Sequence, residues 1–234
     1  MKTNSILAIS TLPLLLASSI ASAQVLDVKV TNLTQGMFFT PLLVSAHDNS
    51  LHLFETGESA TSELTAMAEG GDISGLVTAS EALGAVNSEN PAAGLLSPSS
   101  STTVSDLNTG SNGYLSITAM LLPTNDGFVG LDSWAIPEEA GTYTLFLNAY
   151  DAGTEVNDEI VNGGGAVGVV GIPANPGANG GTGASGVTTS ESNQTIHIHR
   201  GNVGDTDNAG GVSDVDSRIH RWLNPVAKVV VTVK

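Results

Sequence analysis

Asp151 and Glu155 stand four residues apart around Ala-Gly-Thr in the stretch NAYDAGTEVND, residues 148–158, and a third acid, Asp126, lies upstream in NDGFVG. Carboxylates crowded together without a counter-ion repel one another and raise one another's pKa, whereas Ca²⁺ takes about six to eight oxygen ligands and completes its shell with carbonyls and water. An oxygen-only set suits calcium; zinc would call for Cys or His at the same spacing. The chemistry on offer is the binding of one hard divalent cation by Asp126, Asp151 and Glu155. The plain alternative is that Asp126 and Asp151 only begin turns, a common use of Asp.

For these acids to meet, the chain between them must double back. Residues 123–155 read as strand, turn, strand, with PEEAG at 137–141 as the turn. The midpoint between Asp126 and Asp151 falls inside that turn, so an antiparallel hairpin brings both acids to its open end. Gly153 then allows a turn tight enough for Glu155 to point the same way.

Around this hairpin, residues 25–33, 42–46, 114–121, 128–136, 142–150, 195–199 and 226–233 alternate or run in β-branched and aromatic residues between turn formers, and read as strands. Helical spacing is confined to residues 61–69, closed by Gly70-Gly71, with a second short helix expected near 80–86. This density of strands predicts an all-β fold, an antiparallel β-sandwich with one or two short helical insertions and long Gly-rich loops. Residues 97–113 read as a polar loop. Residues 162–186, rich in Gly and Pro, read as a long mobile loop. The GGGAVG within them matches a dinucleotide-binding pattern only formally, because IPANPG follows where that motif needs a helix.

Two weaker signals carry metal-binding alternatives. DTDNAGGVSDVD, residues 205–216, holds four Asp around a Gly pair; it reads either as a second calcium loop or, without EF-hand register, as a solvated acidic loop, the reading adopted here. His197 and His199 share a strand face, as His-x-His metal pairs do, but no third ligand is evident in the sequence, and the expectation is two partly exposed strand histidines. Trp222 is expected to pack where the last strand enters the sheet. The chain has no Cys and no nucleophile-elbow motif, and no catalytic residue is nominated.

A basic residue, an apolar run from Ile6 to Ala17 and the small residues Ala21-Ser22-Ala23 have the anatomy of a cleaved secretory leader, residues 1–23, followed by one domain over 24–234. Nothing later reads as a transmembrane segment. An exported chain without disulfides must be tied by packing, with bound metal as the natural substitute for the missing cross-links. Its formal net charge of −16 disfavours nucleic acid and anionic membranes and favours cations.

NDGFVGLDSW followed by AYDAGTE also resembles the pair of motifs of the spondin N-terminal domain family, and the resemblance spans about residues 28–233. It implies a C2-like β-sandwich that binds calcium through Asp126, Asp151 and Glu155. Three departures stand out: Gly127 and Tyr150 replace the two motif tryptophans, and Glu155 replaces an Asp. Animal members carry disulfides and thrombospondin-type repeats that this chain lacks, so their matrix and neural roles do not transfer. The expectation is a secreted or periplasmic calcium-binding interaction module whose partner is an extracellular protein or glycan. The alternative is a metal-dependent hydrolase built on the same carboxylates.

Overall fold

A computed structural model describes residues 23–178 and 180–234. The leader expected over residues 1–23 lies, except for its last residue, outside the described residues. Ten strands and two helices form among the latter: β1 (Val25–Asn32), β2 (Phe38–Phe39), β3 (Leu43–His47), α1 (Ser62–Gly70), α2 (Ser74–Ala82), β4 (Val86–Glu89), β5 (Ser101–Asn108), β6 (Tyr114–Leu122), β7 (Gly127–Ala135), β8 (Gly141–Asp151), β9 (His197–Ile198) and β10 (Ala227–Val233). The sheet runs β4-β3-β6-β7-β8-β10-β1-β5, with β2 added on β6 and β9 on β8. All named strand pairs are antiparallel. The end strands β4 and β5 touch, so the two layers of the expected sandwich are two halves of one nearly closed, barrel-like sheet.

Each strand's residue pattern reports what covers it. β10 alternates strictly, burying Ala227, Val229, Val231 and Val233 in the barrel interior while its other face meets solvent. β6 is apolar on both faces: Ile117, Ala119 and Leu121 join the interior, and Met120 and Leu122 pack under the helices with Leu64, Met67 and Leu76. α1 starts at Thr61, whose Oγ1 accepts the N–H of Leu64 at 3.1 Å, and stops at Gly71 in the left-handed conformation, φ 74°.

Three expectations need correction. The polar loop of residues 97–113 contains β5. Its inward residues Val104 and Leu107 are three apart because a register shift opposite Leu26 and Val28 breaks the two-residue period, and that irregularity hid the strand. The second helix lies at Ser74–Ala82, because Val86 already pairs with Ala46 as the start of β4. The hairpin also pairs differently from a simple ribbon. β7 and β8 are bonded only from Gly127–Asp151 to Gly130–Asn148; beyond that β7 continues on β6 and β8 on β10. The acids therefore sit at the one end of the hairpin that is hydrogen-bonded.

Candidate metal centre

Gly127, not Asp126, lies opposite Asp151, one residue from the register expected of the turn. The displacement leaves Asp126 just past the last pair, its carbonyl accepting the N–H of Ala152 at 3.2 Å. All three acids are buried there. Asp126 Oδ2 accepts the N–H groups of Thr154 (2.8 Å) and Glu155 (3.1 Å) and the Thr154 hydroxyl (3.2 Å). Asp151 Oδ1 accepts the N–H of Gly153 at 2.9 Å, and its Oδ2 accepts from Asn157 Nδ2 at 2.7 Å. Glu155 Oε2 accepts the N–H of Gly171 at 3.0 Å and Asn125 Nδ2 at 3.4 Å. Gly153 is obligatory in this turn, since its φ is +71° and a Cβ would stand 2.8 Å from the N of Thr195.

Two carboxylate oxygens remain over. Asp126 Oδ1 and Glu155 Oε1 are buried without a hydrogen-bond partner. Burial, then the charge of Asp151, raise the Asp126 carboxyl to about 7 against the backbone N–H groups that oppose them. Glu155 is likewise raised to about 7, by burial first, with Glu69 and Asp126 adding repulsion. An oxygen-only set with unmatched oxygens and an unfavourable negative charge has the chemistry that a hard cation satisfies. Even so, among the described residues no group of three or more His, Asp or Glu side chains is arranged to hold an ion as it stands.

The histidines differ from one another. His197 pairs with Asp151 across β8 and β9; its Nδ1 donates to the carbonyl of Thr195 at 2.8 Å, and its Nε2 stands 3.8 Å from Asp151 Oδ2. His199 is buried rather than partly exposed as its strand position suggests, because Trp222 covers its ring, and its Nδ1 accepts the N–H of Gly201 at 2.9 Å. Gly127 makes room for it: a Cβ there would stand 3.0 Å from His199 Cδ2 and 2.8 Å from Thr124 Oγ1. Trp222 packs on the His199 ring at 5.0 Å and against the barrel core, as expected of a residue next to the last strand.

The Spondin_N family pattern matches residues 32–158, just over half of the chain, including all three acids. The chain belongs to the Spondin_N family. This is an extracellular-type domain family. No curated protein matches the chain. No helix among the described residues is long and apolar enough to cross a membrane.

Beyond the Spondin_N match, buried carboxylates tie down the loops that sequence reasoning left free. The described residues within 162–186 are irregular but anchored: Glu155 Oε2 holds the N–H of Gly171, Glu69 Oε2 that of Gly168, and Asp214 Oδ1 those of Thr182, Gly183 and Ala184. Asp214 also accepts the N–H of Val161, at 2.8 Å through Oδ2. The solvated reading of the 205–216 loop fails for this residue, which is buried. Burial pushes its pKa up, but the N–H groups of Val161, Ala184 and Thr182 outweigh that and leave it below the ordinary value. Glu159 does the same work for Val203, Gly204 and the Ser213 hydroxyl. Sequence offered no signal for these ties, because each joins residues far apart in the chain.

A cavity of about 390 Å³ lies beside this loop, lined among others by Asn175, Thr182, Asp207, Asp214 and His220, and by none of Asp126, Asp151 and Glu155. Ser133, His52 and Asp132 form a triad-like group near the surface, but Ser133 Oγ and Asp132 Oδ1 both meet Nδ1 of His52, at 3.1 and 3.0 Å. A serine relay needs the two partners on opposite ring nitrogens.

Proposed function

We propose that this Spondin_N domain binds one calcium ion through Asp126, Asp151 and Glu155, and that the ion fixes loops which present an extracellular interaction surface to a protein or glycan. The pair of buried, partnerless oxygens on Asp126 and Glu155 carries this reading. A bound cation would supply the positive charge that favours the ionised form of these carboxyls, which burial disfavours. The chain's own part is to hold the acids: the turn at Gly153 places Glu155 behind Asp151, and Asp126 is clamped by the N–H groups of that turn. Fixing this turn would reach outward through Glu155, which bonds Gly171 in the exposed Val167–Val169–Val170 loop. We read the domain as non-catalytic. The large cavity excludes the acids, and this supports the module over the hydrolase.

Calorimetric titration of the purified protein with Ca²⁺ after chelator treatment tests the proposal. Saturable binding of one ion is expected, with a rise in melting temperature, since an ion at a hundredfold excess over Kd adds about 2.7 kcal/mol to the folded state. Absence of both would overturn it.

A further inference from the structure

A third buried polar atom beside the acids has no partner: Nε2 of His199. Because Nδ1 accepts the N–H of Gly201, the neutral ring carries its proton on Nε2. Neither nitrogen then has a lone pair to give a metal, so His199 is no ligand. It is an unsatisfied donor. Strand register says where it lies. Residues directly opposite in antiparallel pairs project from one face, as do residues two apart along a strand. Gly127, Asp151 and His197 are opposite one another across β7, β8 and β9, and His199, just past β9, donates its N–H to the carbonyl of Ala149 at 3.1 Å, which continues the register and puts His199 on the face that carries Asp151. Its ring reaches across that face until Cδ2, the carbon bonded to Nε2, abuts Gly127, the neighbour of Asp126.

We propose that His199 is a positioning residue for the calcium site inferred above, its Nε2–H donating to the Asp126–Asp151 carboxylate pair when the ion is bound. The inference rests on that reading. A carboxylate has about four acceptor positions. Asp151 fills one on each oxygen and Asp126 Oδ1 fills none, so both have acceptor capacity to spare. A neutral donor can orient a ligand carboxylate without repelling the cation, and such outer hydrogen bonds set affinity by about 10–100-fold. Gly127 is what admits the ring, and a tryptophan at that position would exclude it. His199 also lies outside residues 32–158, so it belongs to the part of this chain beyond the family match.

The test compares wild type, His199→Phe and His199→Gln by calcium titration and by melting in chelator. Phe keeps a ring and loses both the Nε2–H donor and the Nδ1 acceptor of the Gly201 N–H; Gln keeps an N–H at the reach of Nε2. The expected result is about tenfold weaker calcium binding for His199→Phe, restored to within about threefold by His199→Gln, with the calcium-free melting temperature of His199→Phe close to wild type because the unmatched Nε2–H that is removed offsets the Gly201 N–H that loses its acceptor. Wild-type binding with an unchanged His199→Phe affinity would overturn this inference alone; a wild type that binds no calcium would overturn it together with the proposed function. A His199→Phe protein that melts lower in chelator and is not rescued by Gln would show a purely structural histidine. Should the Phe variant not fold, long-range ¹H–¹⁵N spectra of the wild type decide: the Nε2 proton resonance must move downfield on calcium saturation, and an unmoved resonance refutes the proposal.

Discussion

Replacing Asp126 by Asn in the calcium-free protein should stabilise the fold by an amount that grows with pH. The Asp126 carboxyl is raised from an ordinary value of 3.8 to about 7, first by burial and then by Asp151. Between those values the folded state holds a proton that the unfolded chain has released, so the unfolding free energy falls as pH rises through the window. At about 1.36 kcal/mol per unit, the stability lost relative to an unperturbed carboxyl is on the order of 2 kcal/mol at pH 5 and about 4 kcal/mol at pH 8. Asn keeps an oxygen for the N–H groups of Thr154 and Glu155 and removes the charge. The advantage of Asp126→Asn over wild type should therefore increase by on the order of 2 kcal/mol between pH 5 and pH 8. Comparison with wild type at each pH cancels the buried histidines, which titrate in both proteins, and the relief of Glu155, which Asp126 also repels, adds in the same direction. Urea unfolding in chelator, followed by Trp134 and Trp222 fluorescence, measures the difference. A stability gap that stayed constant with pH, or closed as pH rose, would refute the buried-carboxylate account. Adding calcium should reverse the order, with wild type the more stable protein at pH 8.

Asp214→Asn should cost about 2 kcal/mol in urea unfolding, because a charged acceptor of backbone N–H groups from Val161 and residues 182–184 becomes a half-donor amide. Its calcium titration should match wild type, whereas Asp151→Asn should lose most of its affinity with circular dichroism unchanged in saturating calcium; the reverse ranking would move the ion site to the 205–216 loop. Gly70→Ala should destabilise by about 1–3 kcal/mol, since a Cβ there collides with the carbonyl of Gly165. An unaltered urea midpoint for that variant would show that the Gly-rich loop is not docked on α1.

The sequence by itself determined the strands whose environment is uniform along their length. β10 announces a solvent face by alternation, whereas β6 is legible as a strand although Ser116 and Thr118, alternating with apolar residues, do not announce that its second face is covered. It also placed Asp126, Asp151 and Glu155 at one end of a hairpin, because a turn at 137–141 and a two-residue period leave little freedom in where the strands return. β5 escaped because a bulge disrupts its period, and the one-residue offset at Gly127–Asp151 escaped because turn length alone does not define register once β7 and β8 part company. Only the tertiary structure decided which acids are buried and what each one touches. Asp214 and Asp207 look alike in a run of aspartates, yet Asp214 is closed over by backbone from residues 161 and 182–184 while Asp207 caps only its own turn. The tautomer of His199 and the unmatched oxygens of Asp126 and Glu155 were decided there too. The physical reason is range. Periodicity and turn chemistry act over a few residues and are written locally, whereas desolvation and hydrogen-bond matching depend on groups brought together from 16 to more than 50 positions away.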